Sequence, residues 1–222
     1  MSYYPYSQES SNYLSARTNE LTVIGEGTVM APPDEAIINI GILSESKNLQ
    51  QAQQENSMIS QRVINSLRQL GIHEKDLQTS EYRIENVYDY VQGKQIFRGY
   101  EVRHILEVKV ADIRLVGIVV DTAVANGANM IYHIRFTIST REEKYNQALS
   151  IAVVNARQKA FVIGKAIGVQ IQSIPFEISE LRDGSPIIPF QTYSLEKVAA
   201  ATTPIQTGQL EIKATISAKF TY

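Results

Sequence analysis

Three histidines, His73, His104 and His133, are the side chains of this sequence best suited to bind a metal or move a proton near neutral pH. Their spacing fits no helical metal motif such as His-Glu-x-x-His, where two imidazoles one turn apart face one ion. His104 and His133 both fall in strand-patterned segments. His104 shares the apolar side of its strand, and His133 lies on the other parity. One reading is a partly buried, hydrogen-bonded His104 with the other two exposed; the alternative is a metal shared between neighbouring strands. Asp34 and Glu35 are adjacent, so in a strand they point to opposite faces and are poorly placed as an acid/base pair. Asp34 instead reads as a turn former. No Gly-x-Ser-x-Gly elbow occurs, Gly184-Ser185-Pro186 reads as a loop, and Asp112, Asp121 and Asp183 have no nucleophile pattern beside them. Gly25-Glu26-Gly27 lacks a third glycine and leads into Pro32-Pro33 rather than into helix amides that could cradle a phosphate. It reads as a bulge or twisted hairpin. Arg157 and Lys159 follow Glu142, Glu143 and Lys144 along one helix, which reads as a solvated face with local ion pairs; an anion contact by Arg157 is the alternative. The sequence contains no cysteine, which removes disulfides, thiolate metal sites and cysteine nucleophiles. No catalytic, cofactor-binding or metal-binding residue is assigned, and the reading leans away from an enzyme.

The bulk properties narrow the partners. Of 222 residues, 44% are hydrophobic and 20% charged, enough apolar material for one substantial domain or two small subdomains. The net charge of −2, with no Lys/Arg run, argues against nucleic acid. No apolar stretch approaches the roughly 20 residues that a membrane helix needs. Residues 1–19, MSYYPYSQESSNYLSARTN, are rich in Ser and Tyr and lack the basic and apolar regions of a secretory signal. They read as a flexible tail on a cytoplasmic protein; the alternative is an arm that docks on a neighbouring subunit through Tyr3, Tyr4, Tyr6 and Tyr13.

The elements that would position these residues follow from periodicity. Leu21 and Val23 open a strand, Pro32-Pro33-Asp34 turns the chain, and Ala36, Ile38, Ile40 and Ile42 share one face of a second strand. The two are expected to form a hairpin. Ala52, Asn56, Ile59, Val63, Leu67 and Leu70 recur at helical spacing, with Asn48 and Gln51 as a capping pair and Gly71 just past the end. Residues 82–91 read as a strand, Gln92-Gly93-Lys94 as a hairpin turn, and Tyr100, Val102, His104, Leu106, Val108 and Val110 as one face of the return strand. Asp112 caps a second helix that ends at Asn126-Gly127. Tyr132, Ile134, Phe136 and Ile138 mark a further strand, and Thr140-Arg141-Glu142-Glu143 is a capping box opening a third helix to about Ile167. Residues 171–181 read as a strand, 182–203 as a long connection, and Leu210, Ile212, Ala214, Ile216, Ala218 and Phe220 as one face of a long final strand. The expected fold is α+β: a ferredoxin-like β-α-β-β-α-β core, preceded by the hairpin strand and extended by a long helix and C-terminal strands.

Six segments together resemble the SIMPL-domain family. They are Val23-Ile24-Gly25-Glu26-Gly27 with Ala31-Pro32-Pro33-Asp34-Glu35-Ala36, Leu70-Gly71-Ile72 with Glu74-Lys75-Asp76-Leu77-Gln78-Thr79, Gly99-Tyr100-Glu101-Val102, Ala125-Asn126-Gly127-Ala128-Asn129, Ala156-Arg157-Gln158-Lys159-Ala160, and Pro204-Ile205 with Gly208-Gln209-Leu210-Glu211-Ile212. The resemblance implies two small intertwined subdomains spanning residues 20–222 and no established catalytic activity. It also implies export for many members, ring-like oligomers for some and a stress-related role for others. The polar Tyr/Ser tail departs from the exported members.

Two segments remain as functional candidates. The connection 182–203 carries Ile187, Ile188, Phe190, Tyr193 and Leu195, more apolar bulk than a solvated loop needs. The final strand, if at a sheet edge, must be covered or charged, and its apolar residues include Leu210, Ile212 and Ile216. These eight residues form the expected contact of a homo-oligomer, in a non-catalytic structural or binding module without cofactor. The competing expectation is a small-ligand sensor or enzyme whose pocket between subdomains is lined by Tyr82, Tyr88, Tyr100 and Tyr132.

Overall fold

A computed structural model describes residues 19–181, 189–190 and 203–222. Among them the chain forms strands β1 (Glu20–Ala31) and β2 (Glu35–Ser46), helix α1 (Leu49–Gln69), strands β3 (Leu77–Val91) and β4 (Lys94–Val110), helix α2 (Val116–Ala125), strand β5 (Met130–Thr137), helix α3 (Arg141–Ile167), and strands β6 (Glu177–Leu181), β7 (Pro189–Phe190) and β8 (Gln209–Thr221). This is a mixed α+β protein with two antiparallel sheets and three α-helices among the described residues. One sheet has the order β3-β4-β2-β5; in the other, β8 lies between β1 and β6 and also pairs with β7. The chain divides into two compact units. The first takes the described residues of 1–28, 147–184 and 213–222; the second takes those of 29–146 and 185–212.

The second unit is organised by alternation on β2 and β4. Ala36, Ile38, Ile40 and Ile42 face Val110, Val108, Leu106 and His104 across the antiparallel ladder. The apolar members of this set are at most 2% exposed. Val63 and Leu67 of α1 and Val116, Val119, Val120 and Ala123 of α2 close the same core. Burying each of the Ile, Leu and Val side chains among them contributes about 1.5–3 kcal/mol. The ends of α1 follow the expected chemistry. Asn48 Oδ1 accepts from the Gln51 amide at 3.2 Å. At the other end Gly71, with φ +93°, lets its own amide reach Arg68 O and the Ile72 amide reach Leu67 O. The β3–β4 turn also matches its signal: Gln92 and Gly93 both have positive φ, 50° and 77°, as a two-residue hairpin turn requires.

In the first unit, α3 presents Ala148, Ala152, Ala156, Ala160 and Gly164 as a buried stripe of small residues. Gly25 and Gly27 meet that stripe. A Cβ on Gly25 would overlap the Ala152 carbonyl oxygen and lie 2.8 Å from Ala156 Cβ. One on Gly27 would overlap the Ala148 carbonyl oxygen and lie 2.6 Å from the Ala152 nitrogen. The two glycines therefore serve close approach of a strand to a helix, and neither has a positive φ. Val23, Ile216, Ala218 and Phe220 complete this core.

Four expectations change. β1 and β2 do not pair as a hairpin but enter different sheets. Asp34, between them, does not close a β1–β2 turn; its carboxylate accepts from the amide and hydroxyl of Ser139, at 2.7 and 2.6 Å. The final strand is central rather than an edge, because β1 and β6 flank it. The strand expected over 171–181 begins only at Glu177, although the Gln172 and Phe176 amides already donate to carbonyls of β8.

Candidate functional site

The residues of the expected oligomer contact are placed as follows. Leu210, Ile212 and Ile216 are at most 3% exposed and belong to cores of their own units, so they offer no free surface. That part of the expectation is corrected, because the strand that carries them has neighbours on both sides. Phe190 lies in β7, whose backbone pairs with β8 opposite Gln209. Ile187, Ile188, Tyr193 and Leu195 lie outside the described residues. The four tyrosines of the competing expectation do not converge. Tyr82 sits on β3 and Tyr132 on β5, at opposite edges of one sheet. Tyr100 stacks edge-on against Phe97 at 5.2 Å between ring centroids, and Tyr88 does so at 5.7 Å.

What the structure brings together lies on β3, β4 and α1, all within the second unit. Between Thr79 and Glu81 the β3–β4 register shifts, leaving Ser80 as an extra residue whose hydroxyl donates to Ile105 O at 3.2 Å. In a regular strand Thr79 and Tyr82 would face opposite ways. The bulge puts both beside His104. The Thr79 hydroxyl lies 2.9 Å from His104 Nε2, and the Tyr82 ring meets the imidazole edge-on at 5.6 Å. On the helix side, Ser60 Oγ is 2.9 Å from His104 Nδ1 and donates to Asn56 Oδ1 at 3.3 Å. Asn56, fully buried, donates from Nδ2 to Ile42 O and Val102 O at 2.9 and 3.0 Å.

The donors order this chain. Ser60 has one proton and gives it to Asn56, which leaves its oxygen to accept from His104 Nδ1–H. Burial lowers the His104 pKa from its usual 6.5 and so favours the neutral imidazole, in which Nε2 accepts from Thr79. The chain ends in an amide rather than a carboxylate, and Ser60 is only 4% exposed. The network therefore fixes α1 on the sheet; it does not generate an exposed nucleophile. Above it opens a cleft of about 530 Å³ walled by Gln50, Gln54, Met58, Gln61 and Tyr82. His73 and His133 are exposed, as expected for them. Among the described residues no group of three or more His, Asp or Glu side chains could hold a metal ion. Arg157 is exposed, whereas Lys159 donates to Ile24 O at 2.8 Å.

Beyond the cleft, β3 and β4 continue as a two-stranded ribbon. The β2–β4 ladder stops at Ser46 and Tyr100, while β3 and β4 pair on to Val91 and Lys94. Arg98 anchors the base of the ribbon through two 2.7 Å bonds to Glu45. Tyr88, Tyr90, Val91, Ile96 and Phe97 on this segment are 39–76% exposed, and Ile84, on the part of β3 still within the four-stranded sheet, is 40% exposed. β3 is also a sheet edge: among the described residues no strand pairs with its outer side. The two strands and their turn lie where the sequence pattern puts them, but an unpaired edge among the described residues lies on β3 and not on β8.

Residues 21–220 match the model of a family described as SIMPL, protein of unknown function (DUF541). The 26 kDa periplasmic immunogenic proteins of Brucella melitensis and Brucella abortus are each 28% identical over 218 residues, 94% of this chain and 87% of theirs. The uncharacterized protein YggE of Escherichia coli is 23% identical over 199 residues, 86% of this chain and 80% of its own. The cytoplasmic expectation is corrected by the two Brucella relatives, which are named as periplasmic. No helix of the described residues is long and apolar enough to cross a membrane.

Proposed function

The chain belongs to the SIMPL family, and from that premise we propose that it is a non-catalytic assembly module of the periplasm that associates with further copies of itself through the outer edge of β3 and the β3–β4 ribbon that extends from it. The observation that carries this reading is a row of exposed aromatic and aliphatic side chains on the ribbon and on a strand edge that has no neighbour among the described residues. A single hairpin of this kind is at best marginal in water, and burial against a partner stabilises it. The outer face of α3 adds support, since Ile151, Val154, Phe161 and Val162 are 42–69% exposed. The periplasmic location rests on the names of the Brucella relatives. The ferredoxin-like reading of the second unit rests on the succession β2-α1-β3-β4-α2-β5 together with the strand order β3-β4-β2-β5.

Light scattering after size exclusion tests the assembly. The intact chain runs as a multimer of 24.9 kDa subunits, and Tyr88→Ser with Phe97→Ser shifts it toward one subunit while the circular dichroism is retained. A monomeric intact chain at tens of micromolar counts decisively against the proposal.

A further inference from the structure

Resting on that reading, we infer that two copies join edge to edge through β3, antiparallel about a two-fold axis at Ile84, so that the sheet continues from one subunit into the other. The register follows from where β3 is regular. Its ladder to β4 shifts between Thr79 and Glu81 and again between Val87 and Tyr88, leaving the seven residues 81–87 undisturbed. Ile84 is the middle residue of that stretch. A two-fold axis perpendicular to a sheet keeps each side chain on its own face, so it must pass through one residue position paired with itself. Centred on Ile84, it sets Arg83 opposite Glu85 of the second copy, Tyr82 opposite Asn86, and Glu81 opposite Val87. The two Arg83–Glu85 contacts then add to the 3.3 Å bridge that these residues already form within one chain, giving a square of alternating charge. Centring on Arg83 or Glu85 would oppose like charges. Centring on Tyr82 would drive the pairing across the bulge at Ser80.

The opposite edge of the same sheet is less suited. β5 has only eight residues, carries a register shift and exposes His133. By contrast β3 contains no Pro, Gly or Lys, and α1 packs mainly over β2 and β4. Tyr82 and Ile84 are left 48% and 40% exposed on the helix side. The occupant is a second copy because the edge is complementary to itself under this one operation.

The absence of cysteine makes the test clean. Single variants Ile84→Cys, Tyr82→Cys and Asn86→Cys of the full chain are oxidised and run without reductant. Directly opposed strand positions lie within disulfide reach, whereas positions four residues apart along the strand do not. Ile84→Cys is expected to cross-link to dimer, Tyr82→Cys and Asn86→Cys alone are not, and a mixture of the last two is. Arg83→Glu is expected to weaken association about tenfold, and adding Glu85→Arg to restore it. A multimer that shows no Ile84→Cys dimer and ignores Arg83→Glu overturns this pairing while leaving the assembly proposal intact. A monomeric wild-type chain overturns both.

Discussion

Asn56 gives the sharpest energetic test of how α1 is held. Its amide donates to two strand carbonyls from a position with no solvent exposure, and its oxygen receives Ser60. Asn56→Ala removes three hydrogen bonds and leaves two buried acceptors and one buried hydroxyl short of a partner. Each neutral bond contributes about 1 kcal/mol net, and a stranded buried group costs about 1–3 kcal/mol. A carbonyl keeps a second lone pair and Ser60 keeps His104, so the sum falls near the low end, about 3 kcal/mol. In a chain of 222 residues that corresponds to a fall in melting temperature of roughly 6–12 °C. Urea unfolding at neutral pH measures it directly, with the slope against denaturant unchanged. Ser60→Ala, which leaves both carbonyls satisfied, is expected to cost about 1 kcal/mol. Asn56→Ala combined with Ser60→Ala is expected to cost less than the sum of the two, because they share a bond. If Asn56→Ala lies within about 0.5 kcal/mol of the parent, the account of α1 docking through this amide is wrong.

Two other outcomes follow from geometry already given. Gly27→Ala forces a methyl into the backbone of α3 and is expected to destabilise the protein by about 3 kcal/mol or more; an unchanged thermal melt would show that strand and helix are not in contact there. His104 is held neutral by burial, so its folded pKa lies below the ordinary 6.5. The unfolded chain then binds the extra proton first, and the contribution of His104 is complete above about pH 6.5 and fades as pH falls toward its folded value. The stability advantage over His104→Gln should shrink on acidification through that range; an advantage that grows instead would mean the imidazole is charged in the fold.

Local chemistry was the legible part of this sequence. The Asn48 cap, the Gly71 stop, the Gln92-Gly93 turn and the alternation of Leu210 through Phe220 all report on a few neighbouring residues, and each appears where its pattern puts it. Partnership between strands was not legible. The Pro32-Pro33-Asp34 signal says that the chain turns, but the Asp34 carboxylate is used by Ser139, 105 positions away. Alternation on β8 looks the same for an edge strand and for a central one, and β1 and β6 settle the matter from distant parts of the chain. The His104 network was half visible: its apolar-side parity foretold a partly buried, hydrogen-bonded ring. Its partners were hidden because Thr79 and Tyr82 come together only through the register shift at Ser80, for which no residue type in that stretch is a signal.

The position of β8 has a consequence for the order of events at the ribosome. All four strands of the β3-β4-β2-β5 sheet lie between residues 35 and 137, so that sheet can close while the rest of the chain is still being made. β1, spanning 20–31, has as its neighbour a strand that begins at 209. At about 5–20 residues per second, β1 waits roughly ten seconds or more for it. For that interval Leu21, Val23 and the bare backbone of Gly25 and Gly27 are open to whatever else binds nascent strands. A nonsense or frameshift lesion anywhere before residue 209 would make the wait permanent, leaving β1 and β6 without the strand they share.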